Sequence, residues 1–220
     1  MTTADSSEQT PPSRRRLRHE ESIASILTAA REIMRSEGAA ALTMQELARR
    51  LGIRPPSLYN YFSGKMAIYD ALFQLGFRLF DDEMHRSMDL GHAAMTPELF
   101  LQTTMARYMH FAQQYPELYQ ICFERPVPGF VPSSASMEVS LGVLGKALAR
   151  TEAWLQESGQ TPDAALTTLQ HFDLFNAVMH GLTALHLANE PHLPIGEGRF
   201  GSLIPAAVTM FSHFLQRPKS

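Results

Sequence analysis

Thr43-Met44-Gln45-Glu46-Leu47-Ala48-Arg49-Arg50-Leu51-Gly52-Ile53-Arg54-Pro55-Pro56-Ser57-Leu58-Tyr59-Asn60-Tyr61-Phe62-Ser63-Gly64-Lys65 is the stretch that decides the fold. It reads as a helix, a tight turn and a second short helix, the shape that enters a DNA major groove. Thr43 is a good N-cap, and Glu46 three residues later completes a capping box. Leu47, Ala48 and Leu51 recur at helical spacing. Gly52 follows them, where a left-handed C-terminal cap is wanted. Ile53 is expected to return to the core. Pro55 and Pro56 suit the opening of the second helix, where an N–H has no partner anyway. Leu58 and Phe62, at i and i+4, would face inward, leaving Ser57, Tyr59, Asn60 and Tyr61 outside. Exposed tyrosine hydroxyls suit contact with phosphate. On spacing alone, a helical hairpin in some other all-α protein remains the alternative.

Charge distinguishes the same end of the chain. From Arg14 to Lys65 there are ten Lys or Arg against five Asp or Glu, a balance of +5. From Met66 to Ser220 nine positive residues face fifteen negative ones, a balance of −6. The net charge of −3 thus hides a basic front and an acidic remainder. A basic patch supplies the sequence-independent share of DNA affinity.

The chain has 220 residues, 45% of them hydrophobic and 19% charged, enough for one moderate or two small domains with a real core. No apolar run reaches the roughly 18 residues that suggest a membrane-spanning helix. The N-terminus is polar, so no secretory signal is expected. Cys122 stands alone and can form no internal disulfide, and cytoplasmic residence is the expectation. Residues 1–18 read as a disordered tail that ends in the basic cluster Arg14-Arg15-Arg16-Leu17-Arg18, either a DNA-touching arm or a solubilising flank.

Nearly everything after residue 19 reads as helix. The first runs from Glu20 to Glu37, with Ile23, Ile26, Leu27, Ala30, Ile33 and Met34 on one face, and Gly38 ends it. Lys65 opens a long helix ending near Met88, and Gly91 and Thr96-Pro97 mark a break. The next helix runs to Gln114, with Thr96 as cap and Pro97 at its first position. Pro116 restarts a short helix through Phe123, and Arg125 to Pro132 is a proline-rich loop. Ser133 or Ser134 caps a helix ending near Glu157. Thr161-Pro162-Asp163 opens another, running to Asn189. The last covers Arg199 to Leu215, with Pro205 a site of kinking or delay. The expectation is all-α, about nine helices, without strands or internal repeats.

The N-terminal residues resemble the TetR family of one-component transcriptional regulators. The resemblance runs from about Ile23 through Phe80. It is carried by Ala-Ala-Arg-Glu-Ile-Met from Ala29, Gly38, Leu42-Thr43, Glu46-Leu47-Ala48, Leu51-Gly52-Ile53, Ser57-Leu58-Tyr59-Asn60-Tyr61-Phe62 and Lys65. The family commonly has His where Tyr61 stands. The C-terminal part is similar to the WHG-type regulatory domain, through Tyr115-Pro116-Glu117-Leu118-Tyr119, Phe123 and His180-Gly181; Met179 replaces that subgroup's Trp. The resemblance implies a helix-turn-helix DNA-binding domain over residues 19–79. It implies a ligand-binding and dimerisation domain over 80–220. The expected activity is sequence-specific regulation of transcription, as a ligand-released repressor acting as a homodimer on a near-palindromic operator. An activator is the alternative, since the sign of regulation depends on operator position.

Residue roles follow from the resemblance. Thr43 and Gln45 would lie close to the DNA backbone. Arg54 and Ser57 would reach base edges, Arg54 with two donors matched to a guanine. Tyr59, Tyr61 and Lys65 would contact phosphate. The helices between Pro97 and Asn189 are rich in Met and aromatic residues, which suit an adaptable apolar cavity. Met105, Tyr108, Met109, Phe123, Phe172, Phe175 and Met179 are candidate ligand contacts, with His180 as the polar group orienting a small apolar or aromatic effector; ordinary core is the competing role. Ala177, Gly181, Ala184 and Ala188 form a small-residue stripe at i, i+4, i+7 and i+11. With Phe211 and Phe214 of the last helix they are expected at a four-helix dimer interface. Nine histidines show no i, i+4 pair of metal-ligand type, and Cys122 has no resolving partner, so neither a metal nor another cofactor is expected. No Gly-rich phosphate loop or nucleophile–base arrangement indicates an enzyme.

Overall fold

The computed structural model describes residues 14–86, 96–157 and 166–215, and among them every regular element is helical. The tail before Arg14, the Gly91 break and the expected helix start at Thr161 lie outside the described residues. The chain divides into two compact units, one ending at Ile68 and the other beginning at Tyr69.

The first unit holds α1 (Arg14–Glu37), a 3-10 turn at Ala39–Ala41, α2 (Met44–Leu51), α3 (Pro55–Leu58) and the first turn of α4 (Lys65–Arg86). Ile26, Ala29, Ala30, Ile33 and Met34 recur at three and four residues, so α1 buries one continuous stripe. Leu42, Leu47, Ala48 and Leu58 are each at most 1% exposed and complete the core with Phe62. Burying each large side chain of this set contributes about 1.5–3 kcal/mol. The Arg14–Arg18 cluster is part of α1 rather than of a tail. Contacts one turn apart hold it there, Arg16 Nε with Glu20 at 2.9 Å and Ser22 Oγ donating to the Arg18 carbonyl at 2.8 Å.

The second unit holds the rest of α4, α5 (Pro97–Gln114), α6 (Pro116–Tyr119), a π turn at Gln120–Glu124, α7 (Ser134–Glu157), α8 (Thr168–Asn189), α9 (Gly198–Gly201) and α10 (Ile204–Leu215). α5 packs on α6, α8 and α10, while α7 and α9 pack on α8. Thr96 caps α5 with Pro97 in its first turn, as expected. Ser133 caps α7, its hydroxyl accepting from the Ser136 N–H at 3.2 Å, and Asp70 of α4 accepts from the Ser133 N–H at 2.8 Å.

Two boundaries differ from expectation. α8 begins at Thr168, not at Pro162, because Thr167 and Gln170 form a complete capping box. The expected last helix is broken into α9 and α10, with Pro205 second in α10, where its missing N–H leaves no bond unmade.

Candidate nucleic-acid interface and apolar cavity

The helix-turn-helix is built by its caps. Thr43 has extended backbone, and its hydroxyl accepts from the Glu46 N–H at 3.1 Å. The reciprocal half of the expected box is replaced. Glu46 turns instead to Arg49, at 2.6 and 2.8 Å, and to Arg50 at 2.9 Å. Hydrogen bonds from Arg49 and then Arg50 hold its carboxyl down at about 2, far below the usual carboxylate range. Arg50 also pairs with Glu37, so this network ties α1 to α2.

Gly52 closes α2 at φ 66°, ψ 27°, its N–H directed to the carbonyls of Ala48 and Arg49. The Ile53 N–H donates to the Ala48 carbonyl at 3.0 Å. These are the bonds of a left-handed helix stop. Ile53 does not return to the core. It is 39% exposed, because the reversal at Gly52 turns it into an open groove lined also by Ile26, Leu51, Ser57 and Tyr61.

Arg54 is the N-cap of α3, and Pro55 and Pro56 occupy its first turn. Leu58 and Phe62 are buried, as their spacing predicts. Thr43, Gln45, Arg54 and Lys65 are exposed, and Tyr59 is 56% exposed. Arg54 and Lys65 make no ion pair among the described residues, whereas Arg49 and Arg50 are neutralised by acids. Ser57 and Tyr61 are half-buried. The Tyr61 ring stacks on His19 of α1 at 5.1 Å and 24°. This contact was not foreseen, since its partner lies 42 positions upstream and no local pattern links them.

The second unit encloses a cavity of about 430 Å³, within the range of small-molecule sites. Tyr108, Phe123, Phe172, Phe175, Met179 and His180 all line it. Met105 and Met109 do not. They are 2% and 1% exposed and belong to the packed core, although Met105 is one turn from Leu101 and from Tyr108, which line the cavity. The linings missed in the sequence include Phe77, Phe80 and Met84 of α4, Phe100 with Trp154, and Arg150 and His171. The π turn after α6 delivers Phe123, which meets Phe77 and Phe80 edge-on at 5.5 and 5.3 Å.

His180 is held by two phenols. Its Nδ1 lies 3.1 Å from the Tyr108 hydroxyl and 2.8 Å from that of Tyr119. Burial pushes both phenols well above their ordinary value, so they stay protonated. Nδ1 has one lone pair and can accept from only one of them, and the two hydroxyls also bond each other. Desolvation raises the Cys122 thiol, and its Sγ rests 3.6 Å from the Phe73 carbonyl.

The small-residue stripe lies on the open side of α8. Ala177 and Ala188 are exposed, Gly181 and Ala184 half-buried, and a Cβ built on Gly181 meets nothing within 4 Å. Leu174 and Leu185 flank it at 43% and 45% exposure, and Met210 of α10 is 53% exposed. Phe211 is not available for an intersubunit contact. It is 3% exposed, meets Phe175 edge-on at 5.1 Å and lines the cavity, because its position on α10 faces α8 of its own chain. Phe214 is half-buried beside His171. Among the described residues no helix is long and apolar enough to cross a membrane.

Residues 26–72 match the family of bacterial regulatory proteins of tetR type. An uncharacterized HTH-type transcriptional regulator, YobS, from Bacillus subtilis (strain 168) is 32% identical over 97 residues, covering 43% of this chain and 48% of that protein. The chain thus spans about half the length of this curated relative. A protein of unknown function from Rhodococcus sp. RHA1 has a similar structure, with TM-score 0.72 at 19% identity, covering 89% of this chain and 95% of that one. The transcriptional regulator FadR from Bacillus subtilis, solved in complex with stearoyl-CoA, superposes with TM-score 0.63 at 15% identity, covering 87% of this chain and 98% of that one. The capped helix-turn-helix lies inside the matched segment, so over residues 26–72 the chain is similar to the tetR family of bacterial regulatory proteins.

Proposed function

We propose that the protein is a sequence-specific DNA-binding regulator rather than an enzyme, acting as a homodimeric repressor that a small apolar effector releases from its operator. The observation that carries the reading is the α2–Gly52–α3 unit, with Arg54, Tyr59 and Lys65 exposed around it. Arg54 and Ser57 reach base edges, while Thr43, Gln45, Tyr59, Tyr61 and Lys65 fix register on the backbone. The exposed stripe of α8 with Leu174, Leu185 and Met210 is an apolar face of the kind a second copy covers. Two copies related by a two-fold axis read half-sites about 34 to 36 Å apart, which makes the operator a near-palindrome.

The effector reading is supported by the apolar cavity of the second unit. Effector identity differs among regulators of one fold; the FadR neighbour was solved with stearoyl-CoA. α4 is the element proposed to carry the signal. Lys65 opens it, and Phe77, Phe80 and Met84 further along line the cavity. A ligand preferring one arrangement of α4 shifts the population away from the DNA-fitting state. Typical coupling of about 1–3 kcal/mol weakens DNA binding about 5- to 150-fold.

The test is a titration of the purified chain onto DNA from upstream of its own coding sequence, with light scattering in parallel. A dimer that shifts one fragment against excess random DNA is expected. A monomer in solution and on DNA would refute the dimer, and indifference to sequence would refute the regulator reading.

A further inference from the structure

Two polar side chains on the cavity have a nitrogen without a partner among the described residues, and a third carries charge. Trp154 is 2% exposed and stacks flat on Phe100, at 4.5 Å and 9°, yet its Nε1–H has no acceptor among the described residues. His171 is 5% exposed. Its Nδ1 lies 2.9 Å from the Thr167 carbonyl and must carry the hydrogen there, while its Nε2 has no partner. Buried polar atoms are almost always hydrogen-bonded, so two orphans on one cavity call for an explanation.

The third side chain supplies charge. Arg150 lies one turn before Trp154 on the same face of α7 and is 15% exposed. Its nearest acid, Asp81, is already held by Lys146 at 2.5 Å and leaves Arg150 at 3.9 Å. His85 stands 3.0 Å from Asp81 and 3.3 Å from Arg150. Two permanent cations therefore share one carboxylate, and the surplus positive charge borders the cavity. The acid in the lining is Asp173, which is exposed.

We propose that the cavity binds an amphipathic carboxylic acid, with its carboxyl group among Arg150, Trp154 and His171 and its apolar body lying along α8 towards His180. The proposal rests on the effector reading above and names the class of that effector. One carboxyl oxygen accepts from Trp154 Nε1–H. The other meets His171 Nε2, which takes the hydrogen of the acid when the ring is neutral and donates to the carboxylate when it is an imidazolium. Arg150 supplies the counter-charge that an alcohol or ester does not use. The His180 end makes no such demand, since the Tyr108 and Tyr119 hydroxyls are matched by each other and by His180 Nδ1. The rise along α8 from His171 to His180 is about 13 Å. At roughly 1.25 Å per methylene, from a C–C bond of about 1.5 Å, that accommodates a chain of about ten carbons.

The test is calorimetry of the full chain without DNA, using decanoate, decan-1-ol and methyl decanoate as probes. Decanoate is expected to bind about tenfold or more tightly than either neutral probe, the effect of one charge-assisted pair. Trp154→Phe keeps the stack on Phe100 and removes the donor. Arg150→Gln removes the charge outside the stack, and stands in for the first variant if that one fails to fold. Each should weaken decanoate binding about tenfold, and Arg150→Gln should shrink the preference for decanoate over decan-1-ol. Equal affinity for acid and alcohol, undiminished decanoate binding in the variants, or no decanoate binding would overturn the proposal. Repeating the DNA titration with decanoate separates the two readings: tight decanoate binding with unchanged DNA affinity supports the acid site and refutes release by it.

Discussion

Replacing Gly52 by Ala tests whether the turn between α2 and α3 is set by backbone conformation alone. Gly52 sits at φ 66°, and a Cβ built there meets nothing within 4 Å, so no steric clash enters the accounting. What remains is the left-handed conformation, which costs a residue with a Cβ about 1–2 kcal/mol. Alanine also restricts the unfolded chain, which offsets about 0.4–1 kcal/mol of that. The net expectation is a loss of about 1 kcal/mol. Gly52→Asn should lose less, because asparagine tolerates this region better. Thermal unfolding followed by far-UV circular dichroism should show the alanine variant melting about 4 °C below the parent, with the asparagine variant between them. Hydrogen exchange should localise the change to the amides of Gly52 and Ile53, whose bonds to Ala48 and Arg49 close the helix. An alanine variant as stable as the parent, or an asparagine variant less stable than the alanine one, would refute the reasoning.

Arg54→Ala should relax base preference at one operator position, by about 1–3 kcal/mol in competition binding, and an unchanged preferred sequence would make Arg54 a backbone contact. Lys65→Ala should weaken binding to all sequences alike and lower the salt slope by about one, read from affinities across a salt series. Glu46 has its carboxyl lowered to about 2 by Arg49 and Arg50, so its contribution to stability is present above the ordinary carboxylate range and fades as pH falls towards 2. The melting difference between the parent and Glu46→Gln should therefore be constant near neutrality and vanish on acidification, as thermal scans from pH 7 to about 2 will show. Gly76→Ala places a Cβ 2.5 Å from Cys122 Sγ and should destabilise the second unit by about 1–3 kcal/mol in urea titrations; adding Cys122→Ala should restore most of the loss.

The helix-turn-helix was legible because its determinants are local. Thr43 and Glu46, Gly52, Pro55 and Pro56, and Leu58 with Phe62 each act within about one turn of helix, so their spacing is their physics. The same argument explains one of the two local errors in that segment, the other being the exposed Ile53. A Thr-x-x-Glu pair permits a reciprocal box, but two arginines one turn further on outcompete the Thr43 N–H for Glu46. The missed start of α8 had an equally local signal in Thr167-x-x-Gln170, masked by the proline that made Thr161 look the better cap.

The cavity obeys another logic. Whether an apolar residue lines a void or fills a core depends on what stands opposite, and that is fixed by packing between helices far apart in sequence. Met105 and Tyr108 are neighbours on α5 with the same burial, yet only Tyr108 borders the void. Phe211 illustrates the converse, an apolar residue near the chain end that reads as interface and is claimed by Phe175. The residues that give the cavity its polarity are the least visible of all. Trp154 and His171 differ from ordinary core members only in the bonds that Nε1 and Nε2 lack, and a missing bond has no sequence pattern. The local code therefore identifies the helix-turn-helix, whereas the polarity of the cavity lies in unsatisfied atoms that only the packed structure exposes.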